Sequence, residues 1–271
     1  MTRYKIIALD LDGTLTNSEK IISSATKNVL IEAQCRYSVK VVLASGRPTQ
    51  GMGFLANELE LDKHQGVVLA YNGSEITDWT SKDVIHKIDF PKDIVPYIYR
   101  YSRDAGFDIM TYVGKEIVTE NPDNKYIRLS SQRNRMDIRE VDSFLEEIKD
   151  KSIAKCMIVG EPDSLHKLEM SMSVGLDERV TCFRSEDYYL EVVPKGIDKG
   201  RCLQYVLDYY GFTKEELIAC GDGYNDISMI KFAGLGVAME NAKPQLKEVA
   251  DYITLSNDAD GIVKVIREFV F

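Results

Sequence analysis

A parallel α/β sheet interrupted by one inserted α+β segment is the fold class that the sequence predicts, and three observations predict it. Short apolar runs ending in Gly, Asp or Ser alternate with helix-like stretches, which is the pattern of strands joined by crossover helices. The pattern breaks off near Asp83 and resumes after Pro194. With 271 residues, 44% of them hydrophobic, the chain is long enough to bury one large core together with a smaller inserted one.

Each element has its own justification. Residues 4–9, 39–44 and 66–70 read as the first three strands, apolar enough to be buried on both faces. The helix between the first two, near residues 23–34, begins at a Ser cap, Ser23. Beyond Asp83, residues 107–112 and 116–119 flank Gly114-Lys115, a two-residue turn that suits an antiparallel hairpin. Further helix and strand candidates follow at 143–149, 154–159, 164–174 and 188–193. After Pro194 come a helix at 199–210, a strand at 217–220, a helix at 225–232, candidates at 235–238 and 252–255, and a C-terminal helix at 261–271. The expected architecture is a Rossmann-like parallel sheet with helices on both faces, built from residues 1–82 and 194–271, around an α+β insertion of residues 83–193. No internal repeat or low-complexity tract is present, and the 7 prolines do not form a long linker.

Composition narrows the function classes. Lys and Arg total 34 against 43 Asp and Glu, and a net charge of -9 repels a phosphate backbone, so nucleic acid is not expected as a partner. The five cysteines are scattered without a C-x-x-C pair, which indicates neither a disulfide framework nor a zinc site and fits a reducing cytoplasm. No apolar run reaches the length of a membrane span. His64, His86 and His166 lack metal-ligand spacing and read as surface or packing residues.

Four segments carry chemistry. Asp10-Leu11-Asp12-Gly13-Thr14-Leu15 follows the first strand, where ligands bind in open α/β sheets. A bend at Gly13 lets one carboxylate attack a phosphorus while the other reaches the leaving oxygen. The spacing is not that of an EF-hand loop, because Gly13 is fourth and Ile21 twelfth. In Ser45-Gly46-Arg47-Pro48 a hydroxyl and a backbone N–H can donate to phosphate oxygens, although Ser45 alone also reads as a helix cap. Asp198 can cap a helix whose first turn carries Lys199, with Lys195 as the nearby competitor for offsetting phosphate charge. Gly221-Asp222-Gly223-Tyr224-Asn225-Asp226 follows another strand, and Asp222 suits a hard dication that takes carboxylate, water and phosphate oxygens. Each segment is ambiguous by itself, and all four fall just past strands of one predicted parallel sheet, whose ends share an edge.

In this order along the chain the four segments resemble the motifs of the haloacid dehalogenase superfamily of phosphotransferases. The resemblance covers the core. Only about thirty residues separate Asp12 from Ser45, too few for a domain, so the insertion between Ser45 and Lys199 resembles a C2 cap, and its mixed character resembles the C2B or Cof-type branch. The resemblance implies Mg²⁺ as cofactor and a phosphatase acting on a small phosphorylated substrate, such as a sugar phosphate, through an aspartyl-phosphate. By it, Asp10 is the nucleophile and a metal ligand, and Asp12 is the general acid and base that also lends its backbone carbonyl to the metal. Ser45 and Lys199 bind the phosphoryl group, with the backbone of Leu11 and Gly46 assisting. Asp222 completes the metal's protein ligands, and Asn225 and Asp226 support the site.

Arg47, Asn72 and the cap residues Arg128, Arg133 and Arg135 are candidates for contacting the rest of the substrate, as are Tyr189 and Glu191 near the second hinge. Two alternatives stay open. A phosphohexomutase uses the same phosphoaspartate, and a non-catalytic phosphometabolite sensor can be built on the same scaffold. A pump ATPase is disfavoured by Asp12, a position that is typically threonine in pumps. The sequence leaves substrate identity and oligomeric state unassigned.

Overall fold

The computed structural model describes residues 3–271, which divide into two compact units, residues 3–87 with 197–271, and Ile88–Gly196. In chain order the strands and α-helices of the opening segment are β1 (Ile6–Leu9), α1 (Ser24–Tyr37), β2 (Lys40–Ala44), α2 (Thr49–Glu58), β3 (Val67–Ala70), β4 (Glu75–Asp78) and β5 (Val84–Lys87). The second unit holds α3 (Val95–Asp104), β6 (Asp108–Val113), β7 (Glu116–Thr119), α4 (Lys125–Asn134), β8 (Asp137–Glu140), α5 (Phe144–Ile148), β9 (Cys156–Val159), α6 (Pro162–Gly175), β10 (Val180–Glu186) and β11 (Tyr189–Pro194). The chain then returns to the first unit with α7 (Lys199–Tyr210), β12 (Leu217–Gly221), α8 (Ile227–Phe232), β13 (Leu235–Ala238), α9 (Pro244–Lys247), β14 (Tyr252–Ile253) and α10 (Gly261–Phe269).

The first unit's eight strands run in the order β14-β13-β12-β1-β2-β3-β4-β5. From β14 to β3 every pairing is parallel, as the alternation of apolar runs predicts, and β1, β2, β3 and β12 are almost wholly buried. Strand order reverses direction at β1, which lies between β2 and β12; such a switch point opens a crevice at the carboxyl ends of the strands. Leu9 is level with both Leu43 and Cys220, so the segments beginning at Asp10, Ser45 and Gly221 leave the sheet side by side.

Several elements differ from the sequence expectation for identifiable reasons. β4 and β5 add an antiparallel edge to the parallel sheet, and both are too short to show a clear alternation. The α2 helix carries Gly51 and Gly53, poor helix formers, yet a Cβ on Gly53 would lie 3.3 Å from the Trp79 ring. α4 has only Ile127 as an apolar buried residue, so no amphipathic stripe announces it. The Ser23 cap of α1 forms as expected, its hydroxyl accepting from the Thr26 N–H at 3.0 Å.

The second unit is a six-stranded sheet in the order β10-β11-β9-β6-β7-β8, antiparallel except for the β7–β8 pair. The expected hairpin turns at Gly114, whose φ of 58° is the positive value that such a turn requires. Its core gathers Ile109, Val118, Ile158 and Leu190 from the sheet with Ile98, Phe144 and Leu165 from the helices. Among the described residues no helix is long and apolar enough to cross a membrane.

Candidate active site

Asp10 follows β1 directly, and its N–H donates to the Cys220 carbonyl at 3.0 Å, which keeps it beside β12. The chain then turns sharply at Gly13, where φ is +89° and an added Cβ would meet the Asp222 carboxylate at 2.4 Å. Only glycine permits that approach. Thr14 Oγ1 donates to Asp222 Oδ1 at 3.0 Å, Thr16 donates to the Leu11 carbonyl from both its N–H and its hydroxyl, and Asn241 Nδ2 donates to the Gly13 carbonyl at 2.8 Å. Thr14 and Asn241 have no role in the sequence expectation. Thr14 stands inside the first motif, whereas nothing in the sequence marks Asn241.

Lys199 opens α7, and Asp198 caps that helix by accepting from the Arg201 N–H at 2.8 Å. The Lys199 side chain is fully buried, and Nζ donates to Asp10 Oδ1 and Asp226 Oδ1, each at 2.6 Å. Lys195, the competitor, is exposed. Asp226 also accepts from the Asp222 and Gly223 N–H groups at 3.0 and 2.9 Å, so one carboxylate shapes the turn and holds the lysine. Asp10, Asp222 and Asp226 each offer an oxygen, and these oxygens lie within 4.8 Å of one another. Asp226 is thus a full member of the acidic cluster, beyond the supporting part expected of it.

The electrostatics follow from this crowding. Burial, then the nearby Asp226 and Asp222, push the Asp10 carboxyl well above its ordinary range against the pull of Lys199. Burial and Asp226 raise Asp222 to about 6. For Lys199 burial acts downward, but Asp10 and Asp226 outweigh it and raise its pKa. Three carboxylates facing one ammonium leave a surplus of negative charge in a desolvated place, and the donor set is entirely oxygen. That combination fits a hard divalent cation such as Mg²⁺.

The Asp12 carboxylate points elsewhere. Arg47 grips it with Nε at 2.9 Å and Nη2 at 2.7 Å, and Lys20 adds a contact at 3.0 Å. Burial alone would raise its pKa, yet Arg47 and Lys20 together outweigh burial and hold the carboxyl below its usual value. Asp12 therefore stands outside the carboxylate cluster, which leaves its backbone carbonyl as the group expected at the metal. The contact with Lys20 depends on a turn at Lys20 itself, where φ is 63°, and the sequence expectation did not include it.

Ser45 sits one strand over from Leu11, its N–H donating to the Leu69 carbonyl at 2.9 Å and its Oγ accepting from the Arg47 N–H at 3.2 Å. Asn225 Nδ2 donates to Asn72 Oδ1 at 3.1 Å, which joins the segments after β3 and β12. In the second unit, Arg128 pairs with Asp123, and Arg133 donates to Glu186 and to the Tyr188 hydroxyl, each at 2.9 Å. Arg135 is the left-handed C-cap of α4. Tyr189 donates to the Tyr126 carbonyl at 2.7 Å, and Glu191 forms a buried ion pair with Lys155 at 2.8 Å.

Known proteins share this chain's sequence and fold over nearly its whole length. A Bacillus subtilis protein named 5-amino-6-(5-phospho-D-ribitylamino)uracil phosphatase is 34% identical, covering 98% of this chain and 96% of its own. The crystal structure of a haloacid dehalogenase-like hydrolase from Bacteroides thetaiotaomicron matches with a TM-score of 0.94 and 49% identity, over 98% of this chain and 99% of that one. A Thermotoga maritima structure matches with a TM-score of 0.87 and 29% identity, over 99% and 98% of the two chains. The family model for haloacid dehalogenase-like hydrolases extends over residues 7–266, through both units, and the chain is therefore an enzyme of the haloacid dehalogenase-like hydrolase family.

Proposed function

We propose that the protein is a Mg²⁺-dependent phosphatase that hydrolyses a small phosphomonoester, a sugar phosphate or a similar metabolite, through a phosphoaspartate on Asp10. The observation that carries this reading is the cluster of Asp10, Asp222 and Asp226 around the single buried ammonium of Lys199. Asp10 and Asp222, with the backbone carbonyl of Asp12, would hold the ion. When bound, Mg²⁺ supplies charge neutralisation for a phosphate dianion approaching a carboxylate.

The protein's own groups do the rest. Lys199 orients Asp10 through its 2.6 Å hydrogen bond, with Asp226 fixing the ammonium from the other side. An Asp10 oxygen attacks phosphorus while the Ser45 hydroxyl and the backbone at Leu11 and Gly46 bind phosphate oxygens, which holds the in-line geometry. Asp12 protonates the leaving alkoxide and then accepts the proton of the water that attacks the acyl-phosphate. The Arg47 pairing favours its carboxylate form, the state that the second step uses, and proton donation requires Asp12 to leave Arg47. We assign choice of the leaving group to the inserted unit as a cap.

A panel of phosphomonoesters assayed for inorganic phosphate with and without Mg²⁺ tests this reading. It includes sugar phosphates, pyridoxal phosphate, flavin mononucleotide, aryl phosphates and a phosphoribityl compound of the kind named for the Bacillus subtilis relative. The expected result is metal-dependent phosphate release without a bisphosphate activator. Activity only with such an activator would replace hydrolysis by mutase chemistry, and inactivity on the whole panel would leave a binding protein.

A further inference from the structure

Three successive residues after β3, Tyr71, Asn72 and Gly73, have positive φ values of 51°, 57° and 113°. An L residue disfavours this left-handed region, and a bulky one such as Tyr disfavours it most. The turn is nevertheless held from all sides. The Tyr71 N–H donates to the Arg47 carbonyl at 3.0 Å, the Asn72 N–H donates to the Ser45 carbonyl at 2.9 Å, and the Ser74 hydroxyl donates to the Tyr71 carbonyl at 3.2 Å. On the remaining side α7 packs so closely that a Cβ on Gly73 would lie 2.4 Å from the Cys202 side chain. Unfavourable backbone kept in place by so many contacts points to what the turn presents.

It presents the Asn72 carboxamide. Oδ1 accepts from Asn225 Nδ2 at 3.1 Å, which fixes the plane of the group, and Nδ2 lies 3.3 Å from the point where a Cβ on Gly46 would stand. The Nδ2 hydrogens meet no protein acceptor among the described residues. One donor is thus aimed across the Ser45–Gly46 turn, beside the α7 terminus that carries Lys199.

We propose that Asn72 is a phosphoryl-binding residue whose Nδ2 donates to a substrate phosphate oxygen at the Ser45–Gly46 turn, and that the left-handed turn exists to aim it. This rests on the phosphatase reading, whose site it extends. The bland explanation is that Asn merely tolerates a tight turn, and Asn72→Gly separates the two, since glycine suits the backbone better while removing the carboxamide.

The experiment measures binding of inorganic phosphate in the presence of Mg²⁺ by calorimetry, together with thermal melts, for the full-length protein. Asn72→Gly is expected to weaken phosphate binding about tenfold, the worth of one hydrogen bond to an anion. Its melting temperature is expected to hold or to rise by about 1 to 3 °C. Phosphate affinity within twofold of wild type would overturn the proposal. Should the glycine variant melt below wild type, Asn72→Asp decides, because it keeps size and tolerance of the turn. It is expected to weaken phosphate by more than tenfold, and unchanged affinity overturns the proposal. If wild type itself neither binds phosphate nor releases it from any phosphomonoester, the phosphatase reading has failed; if it does both and the variants match it, only the role of Asn72 has.

Discussion

Each unit of this molecule buries a lysine against carboxylates, and the two arrangements differ in charge balance. In the first, the ammonium of Lys199 touches Asp10 and Asp226 with Asp222 close by, so negative charge is in excess. In the second, Lys155, the residue just before β9, and Glu191 on the neighbouring strand β11 are 2.8 Å apart and 2% and 6% exposed, and answer each other charge for charge. A balanced buried pair is self-sufficient and adds little net stability over an apolar pair of the same shape. An unbalanced cluster is costly unless something positive joins it, and such a cost is the mark of a site kept for function rather than for folding.

The most severe way to probe the contrast is to remove the proposed nucleophile. Asp10→Asn is expected to lower turnover by at least about 10⁴-fold, because no neighbouring carboxylate can take over the attack, while the fold is kept. Steady-state rates alongside a thermal melt check this, and near-normal turnover would refute the assignment of Asp10.

The balanced pair should behave in the opposite way. Lys155→Met alone leaves the Glu191 carboxylate buried without its ammonium and is expected to cost about 3 kcal/mol or more in denaturant unfolding. Replacing Glu191 by Leu in the same molecule should recover most of that loss. If the double variant folds well but its substrate preference shifts, then Glu191 also serves recognition, and the contrast between the units narrows.

Sequence alone makes one side of this comparison legible and not the other. Asp10, Lys199 and Asp222 each stand at the end of an apolar run or the start of a capped helix, where period and capping chemistry are local signals, and the strands β1, β2, β3 and β12 form where those runs lie. The hairpin at Gly114 was similarly local. What stayed hidden depends on register and on contacts between segments distant along the chain. The β4–β5 edge has too few residues to declare its period, and α2 keeps Gly53 for a packing reason that only Trp79 reveals. Pairing of Lys155 with Glu191 follows from β9 lying next to β11, which no spacing announces. In the site itself, Lys20, Thr14 and Asn241 are brought in by turns and long-range hydrogen bonds, so the residues with motif chemistry were visible while those that orient them were not.

A smaller effect distinguishes the two regions by sign. Burial and Asp226 raise Asp222 to about 6, above the roughly 3.9 of an unfolded aspartate, so the fold favours its protonated form. The stability this contributes is complete below about pH 4 and is lost as pH rises through about 6, which leaves the metal-free protein carrying a penalty of about 3 kcal/mol at pH 8. Asp222→Asn removes the titrating group. The metal-free variant should therefore be more stable than metal-free wild type at pH 8 by up to that amount, and equal to it near pH 4. Adding Mg²⁺ should raise the melting temperature of wild type and leave the variant's almost unchanged, since binding to the native state is what stabilises it. A metal-free variant that melts below wild type at pH 8 would show that the cluster is balanced after all, and the distinction between a site that needs a cation and a pair that does not would fall with it.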